Sequence, residues 1–363
     1  MKSSKHILYV GQLWEGATSY DRLRALRELG CSLLEFDVSE YLVPRSRIES
    51  ILAHHLNYGR AINELNRDLL EFAYKQETNI THIWIDKGKW ITPETLQQLR
   101  SCTGAMLVHY SLDPQLVFNR SRQFTGSIPH YDVLFTTKRF ELDLYLQVGA
   151  AHVYLVDQSY DHTRFFPRAL SAEDQRKYGS DLCFIGHHED HYGSCLSAAL
   201  QSKCQARVWG PGWRSQAAAY RWGKQCVPEE AVWGEQYPIA LNGAKIALGL
   251  LTKRYQETTT TRTFEIPACG TFMLAERTDD HLRLFEEGIE AEFFASAEEL
   301  VDKVRYFLAH PNERAHIALA GYNRCLQSGY SNVHRMRQAL DLIDEVGEKK
   351  VRREQSLQPM ETS

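Results

Sequence analysis

Residues 257–275 read Glu257-Thr258-Thr259-Thr260-Thr261-Arg262-Thr263-Phe264-Glu265-Ile266-Pro267-Ala268-Cys269-Gly270-Thr271-Phe272-Met273-Leu274-Ala275. A hydroxyl-rich loop, Thr258 to Thr261, meets the cation Arg262 where a helix is expected to begin. Proline is comfortable only in a first helical turn, where its missing N–H costs nothing. Pro267 therefore puts the start near Arg262 to Phe264, or else kinks the helix. Gly270 suits a left-handed stop, and the apolar run Thr271 to Ala275 reads as a buried strand.

Loop, helix start and guanidinium together form a site for an anion. Free N–H groups of Thr260, Thr261 and Thr263 and the positive end of the helix favour a phosphate, which Arg262 can grip bidentately. Glu257 and Glu265, in a Glu-x7-Glu spacing, stand on either side. Carboxylates repel phosphate but accept hydrogen bonds from sugar hydroxyls, so the pattern suits a nucleotide sugar. The plainer reading is a threonine turn beside a common spacing, since Glu290 and Glu298 repeat it without any such loop.

The surrounding text resembles the C-terminal half of GT-B glycosyltransferases, in the group related to the spore-maturation protein CgeB. It runs Thr261 to Gly270, then Glu276-Arg277-Thr278, Phe285-Glu286-Glu287-Gly288 and Glu290-Ala291. It continues through Glu298-Glu299-Leu300 and His310-Pro311 to Gly329-Tyr330-Ser331. The resemblance implies an α/β chain of GT-B architecture, two Rossmann-like parallel-sheet domains facing a cleft. It implies that Glu257 holds the donor sugar and Glu265 the ribose, that no metal cofactor is needed, and that the last helix crosses back onto the first domain. Relatives often carry an arginine close to position 192, where this chain has Tyr192.

Composition is that of an ordinary globular protein. The 363 residues are 43% apolar and 24% charged, enough for two domains. A formal net charge of -4 gives no electrostatic reason to expect nucleic acid. The polar start, Met1 to Lys5, does not read as a signal peptide, and no apolar run is long enough to cross a membrane. Eight scattered cysteines without a Cys-x2-Cys knuckle read as reduced thiols in a cytoplasmic protein.

Strands are expected at 5–11, 32–38, 82–86, 105–110, 132–136 and 152–156, with a helix at 21–29 and a long helical region over 45–76. The His54-His55 pair in that region reads as a polar helix face. Strands alternating with helices argue for a parallel sheet covered on both faces, which binds ligands beyond its carboxyl strand ends. Those ends carry Trp14-Glu15-Gly16, Lys87, His109, Asp113 and Lys138. Trp14, Glu15 and Gly16 line the expected acceptor side. Asp113, then His109, are the candidates to activate an acceptor hydroxyl, although Asp113-Pro114 equally suits a turn or cap. Lys87 and Lys138 either face donor phosphates or are solvated.

The first domain is expected over 1–160, a hinge over 161–178 and the donor domain over 179–330. A crossing helix follows over 331–346, then a mobile tail over 347–363. The donor domain opens with a strand ending at Gly186, where Gly186 and His187 are expected to approach the diphosphate. The run His187-His188-Glu189-Asp190-His191 offers metal-ligating residue types, yet consecutive loop residues need not converge. Further strands at 206–210, 245–251, 271–275 and 291–295 give about five, with Lys245 assigned to the donor and Trp213 read as either stacking platform or core. Helices are expected at 297–309, 312–326 and 332–346.

The function expected is metal-independent transfer from a nucleotide diphosphate sugar, a UDP-sugar first, to a hydroxyl acceptor. That acceptor could be a glycan, lipid-linked glycan, protein or modified nucleobase. Glu-x7-Glu resemblance suggests retention, with Glu257 orienting the sugar. The alternatives are a non-catalytic nucleotide- or carbohydrate-binding protein of the same fold and a nucleotide-sugar epimerase. A dehydrogenase lacks its Gly-x-Gly-x-x-Gly fingerprint here.

Overall fold

Short apolar runs separated by amphipathic helices give this chain two parallel sheets, each in its own unit. The computed structural model describes residues 5–43, 59–76 and 79–357. His54-His55, the start of the helical region at 45, residues 1–4 and residues 358–363 lie outside the described residues. One unit comprises Met1–Asp157 with Val333–Ser363, the other Gln158–Asn332.

The first sheet contains β1 (His6–Gly11), β2 (Ser32–Asp37), β3 (His82–Asp86), β4 (Met106–Ser111), β5 (Val133–Thr136) and β6 (Val153–Leu155). Their order is β2-β1-β3-β4-β5-β6, every neighbour parallel. Successive side chains of a strand point to opposite faces. Leu8 and Val10 of β1 accordingly join one core with two helices: α2 (Arg60–Tyr74), through Ile62, Leu65 and Leu69, and α3 (Pro93–Thr103), through Leu96 and Leu99. Ile7 and Tyr9 join the other core, with Leu23 and Leu26 of α1 (Thr18–Glu28) and Met336, Ala339 and Ile343 of the C-terminal helix. Thr92 caps α3 by accepting from Thr95 N, Pro93 takes the first turn, and Gly104 ends it at φ 67°.

The C-terminal helix spans Asn332–Leu357, running on where a tail was expected from 347. Its last turns are rich in Glu, Lys and Arg, which are good helix formers even without an apolar face. The segment expected as a hinge at 161–178 belongs to the second unit. Phe165 and Tyr178 anchor it in that unit's core, and Ser171 caps a short helix, Ala172–Tyr178.

The second sheet contains β7 (Ser180–Ile185), β8 (Ala206–Trp209), β9 (Cys226–Glu229), β10 (Ala244–Gly249), β11 (Phe272–Glu276) and β12 (Glu292–Phe294). The order is β12-β11-β10-β7-β8-β9, again parallel throughout. Six strands stand where about five were expected. The extra one, β9, contains Pro228 and lies at the sheet edge, where a missing N–H is tolerated. Flanking helices include α4 (Asp190–Ala199), α5 (Arg262–Ala268), α6 (Ala297–Ala309) and α7 (Pro311–Gln327). From β7 the chain winds outward to β8 and β9, then returns to β10 and winds the other way. The crevice between the carboxyl ends of β7 and β10 is therefore the topological switch point, where open α/β sheets bind ligands. Among the described residues, no helix is long and apolar enough to cross a membrane.

Candidate functional site

Arg262 spans that switch point. It opens α5, and its Nη1 donates to Ile185 O at the end of β7 (3.0 Å) while its Nη2 donates to Leu250 O just beyond β10 (2.9 Å). The guanidinium also lies over the Phe184 ring, 5.0 Å from its centroid. Arginine has five N–H donors, so two bonds leave capacity, and its Nε is buried without a partner among the described residues. Gly186 follows from this approach: a Cβ there would lie 3.0 Å from Arg262 Nη1 and 3.0 Å from the Phe184 ring.

The loop after β7 is held from behind. Trp213 is fully buried, and its Nε1 donates to Gly186 O at 2.7 Å, so it is a core strut rather than an exposed stacking platform. His188 N donates to Pro211 O, and a Cβ at Gly210 would meet Gly186 O at 2.1 Å. The three histidines of the loop turn to different partners: His187 to Glu189 (2.8 Å), His188 to the Tyr220 hydroxyl (2.8 Å) and His191 to Glu276 (3.0 Å). Tyr192 is buried against Phe184.

The threonine loop is ordered by its own hydroxyls. Thr260 N donates to Thr263 Oγ1, which lies 2.9 Å from His281 Nε2, and His281 Nδ1 lies 2.6 Å from Glu276 O. A carbonyl only accepts, so Nδ1 carries the proton and Thr263 O–H donates to Nε2. Burial holds the His281 imidazole below its usual range, which keeps it neutral as this chain of bonds requires. Thr263 is thus committed to the fold, while Thr260 Oγ1 is buried without a partner among the described residues. The helix starts at Arg262, within the expected range, although Pro267 does not fall in its first turn. Pro267 itself falls in the second turn of a seven-residue helix, and Thr261 makes no side-chain cap.

The two acidic residues occupy different depths. Glu257 is half-buried, with Oε2 accepting from Thr252 N (3.2 Å) and Oε1 from the Tyr255 hydroxyl (3.3 Å). Glu265 is buried and accepts from the Tyr237 hydroxyl at 2.7 Å. Burial raises its pKa, against the opposing pull of Tyr237, Arg164, Thr261 and Arg262. Segment 250–252 therefore accepts from Arg262 at Leu250 O and donates to Glu257 from Thr252 N.

Lys245 is not brought to this group. It is the second residue of β10, and at about 3.3 Å per residue it stands ~13 Å from the strand's carboxyl end. There it pairs with Asp181 at 2.7 Å. Its apolar surroundings in the sequence matched the strand correctly but left open which end of it faced the ligand.

Sequence reading missed Glu276, the last residue of β11. Its Oε1 accepts from Leu251 N (2.7 Å) and His191, and its Oε2 pairs with Lys253. A carboxylate directly after a buried apolar run was the available signal. Glu189, named in the sequence only within the metal-ligating run, is buried and accepts from Thr252 Oγ1 at 2.7 Å.

In the first unit the strand ends are mostly spent on the fold. His109 is fully buried between Phe124 and Tyr131, with Nε2 3.1 Å from Lys87 O. Desolvation lowers its pKa to about 4, so it is neither charged nor accessible to an acceptor. Lys138 is also buried. Asp113 remains half-exposed and pairs with Lys87 at 2.9 Å. Partial burial pushes its carboxyl up, but Lys87, with Lys138 behind it, holds it below the usual carboxylate range. Trp14 and Glu15 are exposed in a turn closed by Ala17 N to Trp14 O, with Gly16 at φ 101°.

Residues 194–341 match the family described as "Glycosyl transferase-like". That span holds Glu257, Arg262 and Glu265. None of the curated proteins compared matches the sequence. Among solved structures, the chain is similar to sucrose-phosphate synthase (tll1590) from Thermosynechococcus elongatus, at TM-score 0.66 and 15% identity, covering 94% of this chain and 100% of that one. Anabaena Alr3699/HepE in complex with UDP and glucose gives TM-score 0.64 and 12% identity, with 94% and 100% covered. A glycosyltransferase from Rickettsia africae ESF-5 gives TM-score 0.64 and 13% identity, with 95% and 99% covered. The chain has the two-sheet GT-B fold, and residues 194–341 in its second half are similar to the glycosyl transferase-like family.

Proposed function

We propose that this protein transfers a sugar from a nucleotide diphosphate sugar, with uridine as the base, to a hydroxyl acceptor. The observation that carries this reading is Arg262, bonded to the ends of both β7 and β10 at the switch point within the glycosyl transferase-like span. The UDP and glucose bound by the Anabaena relative support the donor class.

As the bond to the anomeric carbon breaks, negative charge grows on the leaving diphosphate. Arg262 stabilises it from a position already fixed by two backbone carbonyls, so little reorganisation accompanies the reaction. Gly186 leaves room for the diphosphate beside that guanidinium. Glu257 takes the sugar hydroxyls, and Glu265 keeps one oxygen on Tyr237 while offering the other to the ribose. In this reading Arg262 does the work of a metal, and the reaction proceeds with retention. A cytoplasmic setting fits the eight free thiols, six of them buried.

The test is incubation with UDP-hexoses and a panel of hydroxyl acceptors in the presence of a chelator. UDP release and the anomeric proton of the product are both followed by NMR. Acceptor-dependent UDP release with a retained anomer supports the reading. Conversion of the donor without any acceptor would instead identify an epimerase, and binding without turnover a non-catalytic protein.

A further inference from the structure

Lys245 belongs to a second cavity. It lies at the amino ends of the second sheet and measures about 440 Å³. Its walls are the 167–169 loop, the start of β10, residues 269–272 between α5 and β11, and the first turns of α7. Three cations, Arg168, Lys245 and Arg314, are among its lining residues, and no carboxylate is.

The carboxylates that pair with these cations approach from outside the lining. Asp181 meets Lys245 at 2.7 Å and Glu235 meets Arg168 at 2.5 Å, with the Lys245 and Glu235 side chains each 55% exposed. The other member of each pair, Arg168 or Asp181, is mostly buried. Arg168 spends Nη2 on Arg164 O, yet its Nε is buried without a partner among the described residues. Partial burial lowers the Arg314 pKa, with Asp181 opposing, and its Nη1 donates to Phe307 O. The seventeen-residue α7 begins at this cavity with Pro311 and has no side-chain cap, leaving early N–H groups open. Gly270, at φ 67°, forms part of the wall, where a Cβ would press to 3.0 Å from Pro167.

We infer that this cavity binds a small phosphate-bearing metabolite, separately from the donor site. Its volume is within the range of small-molecule sites. Its lining carries three cations and no carboxylate, the charge a phosphate needs, while Asn242 and Thr271 beside them are already bonded within the fold. The site shares α5 with the donor site: Arg262 opens that helix, and Cys269 and Gly270 just past its end line the cavity.

The test is calorimetric titration of the full chain with inorganic phosphate and, separately, glucose 6-phosphate. Wild type is compared with Lys245→Ala, Arg314→Gln and Arg262→Ala. The expected result is binding by wild type, weakened at least tenfold in Lys245→Ala and Arg314→Gln and unchanged in Arg262→Ala. Tighter binding of glucose 6-phosphate than of phosphate would show that the cavity also holds the sugar. The inference is overturned if neither probe binds, or if binding survives Lys245→Ala and disappears in Arg262→Ala. Lys245 is exposed enough that its truncation leaves the fold intact, so the test stands even if Arg314→Gln does not fold.

Discussion

The carboxyl ends of the two sheets carry similar residues to opposite ends. In the first unit Arg22 makes a buried bidentate pair with Asp86, both bonds at 2.7 Å, and the Tyr9 hydroxyl lies 2.9 Å from the same carboxylate. That arginine is matched by a full charge and finished. In the second unit, among the described residues, Arg262 hydrogen-bonds to carbonyl oxygens and lies over an aromatic face. The buried Glu265 carboxylate acts on it through the field and not through an ion pair, so its N–H groups stay available to an anionic leaving group. The type of partner, more than the presence of an arginine at a strand end, separates a structural cation from a binding one.

That contrast can be broken at several points. The largest effect is expected from Arg22→Met, which strands Asp86 unpaired in the core. Unfolding titrations should show a loss of about 3–5 kcal/mol, the usual cost of breaking a buried pair. A loss under 1 kcal/mol would mean that Arg22 is not the structural partner described.

His109 provides a pH-dependent version of the same point. Its folded pKa is about 4, below the ordinary value of 6.5. Between those values the unfolded chain takes up a proton that the folded one refuses. Stability is therefore complete above pH 6.5 and declines as pH falls toward 4. His82, lowered to about 4 chiefly by burial, acts in the same direction. For His109 the loss between pH 7.5 and 4.5 should be about 2–3 kcal/mol, and His109→Gln should remove that part of the decline. An unchanged decline in the variant would assign the acid sensitivity elsewhere.

Smaller effects belong to the carboxylates. Glu257→Gln should lower kcat/KM for the donor by roughly tenfold to a hundredfold, the weight of one or two hydrogen bonds to a charged group, with little change in melting temperature. Asp113→Asn should matter least. Its half-exposed pair with Lys87 is worth about 1 kcal/mol or less, and a retaining reaction does not require it as a base. A drop in turnover above a hundredfold would instead make Asp113 the base of an inverting enzyme.

Much of this architecture is legible in the sequence because buried parallel strands leave short, unbroken apolar runs. Lys5 to Gly11 and Asp181 to Gly186 mark the first strand of each sheet within a residue or so. The edge strand β9 left no such run, since Pro228 interrupts it and only one neighbour supports it. The site was legible in part for a related reason. Arg262 and Gly186 sit where local rules for helix starts and strand ends put them, so spacing located both. Which end of β10 Lys245 occupies, and whether His109 points into a core or into solvent, depend on sheet register and on packing from distant residues such as Phe124 and Tyr131. Neither leaves a local trace. The C-terminal helix outran its apolar face for the converse reason, as helix propensity and the pairs of Lys350 with Asp132 and of Arg352 with Glu348 continue it past Gly347.

The central claim is that Arg262 is fixed by backbone carbonyls, without a bonded carboxylate, to hold a nucleotide diphosphate. The most direct measurement is the melting temperature of wild type and Arg262→Ala with and without UDP, in chelator. A ligand that binds only the folded state raises the melting temperature by mass action. The account expects UDP to stabilise wild type and to lose that effect in Arg262→Ala, while both proteins fold without ligand. Equal stabilisation of the two proteins, or none of wild type, would contradict it.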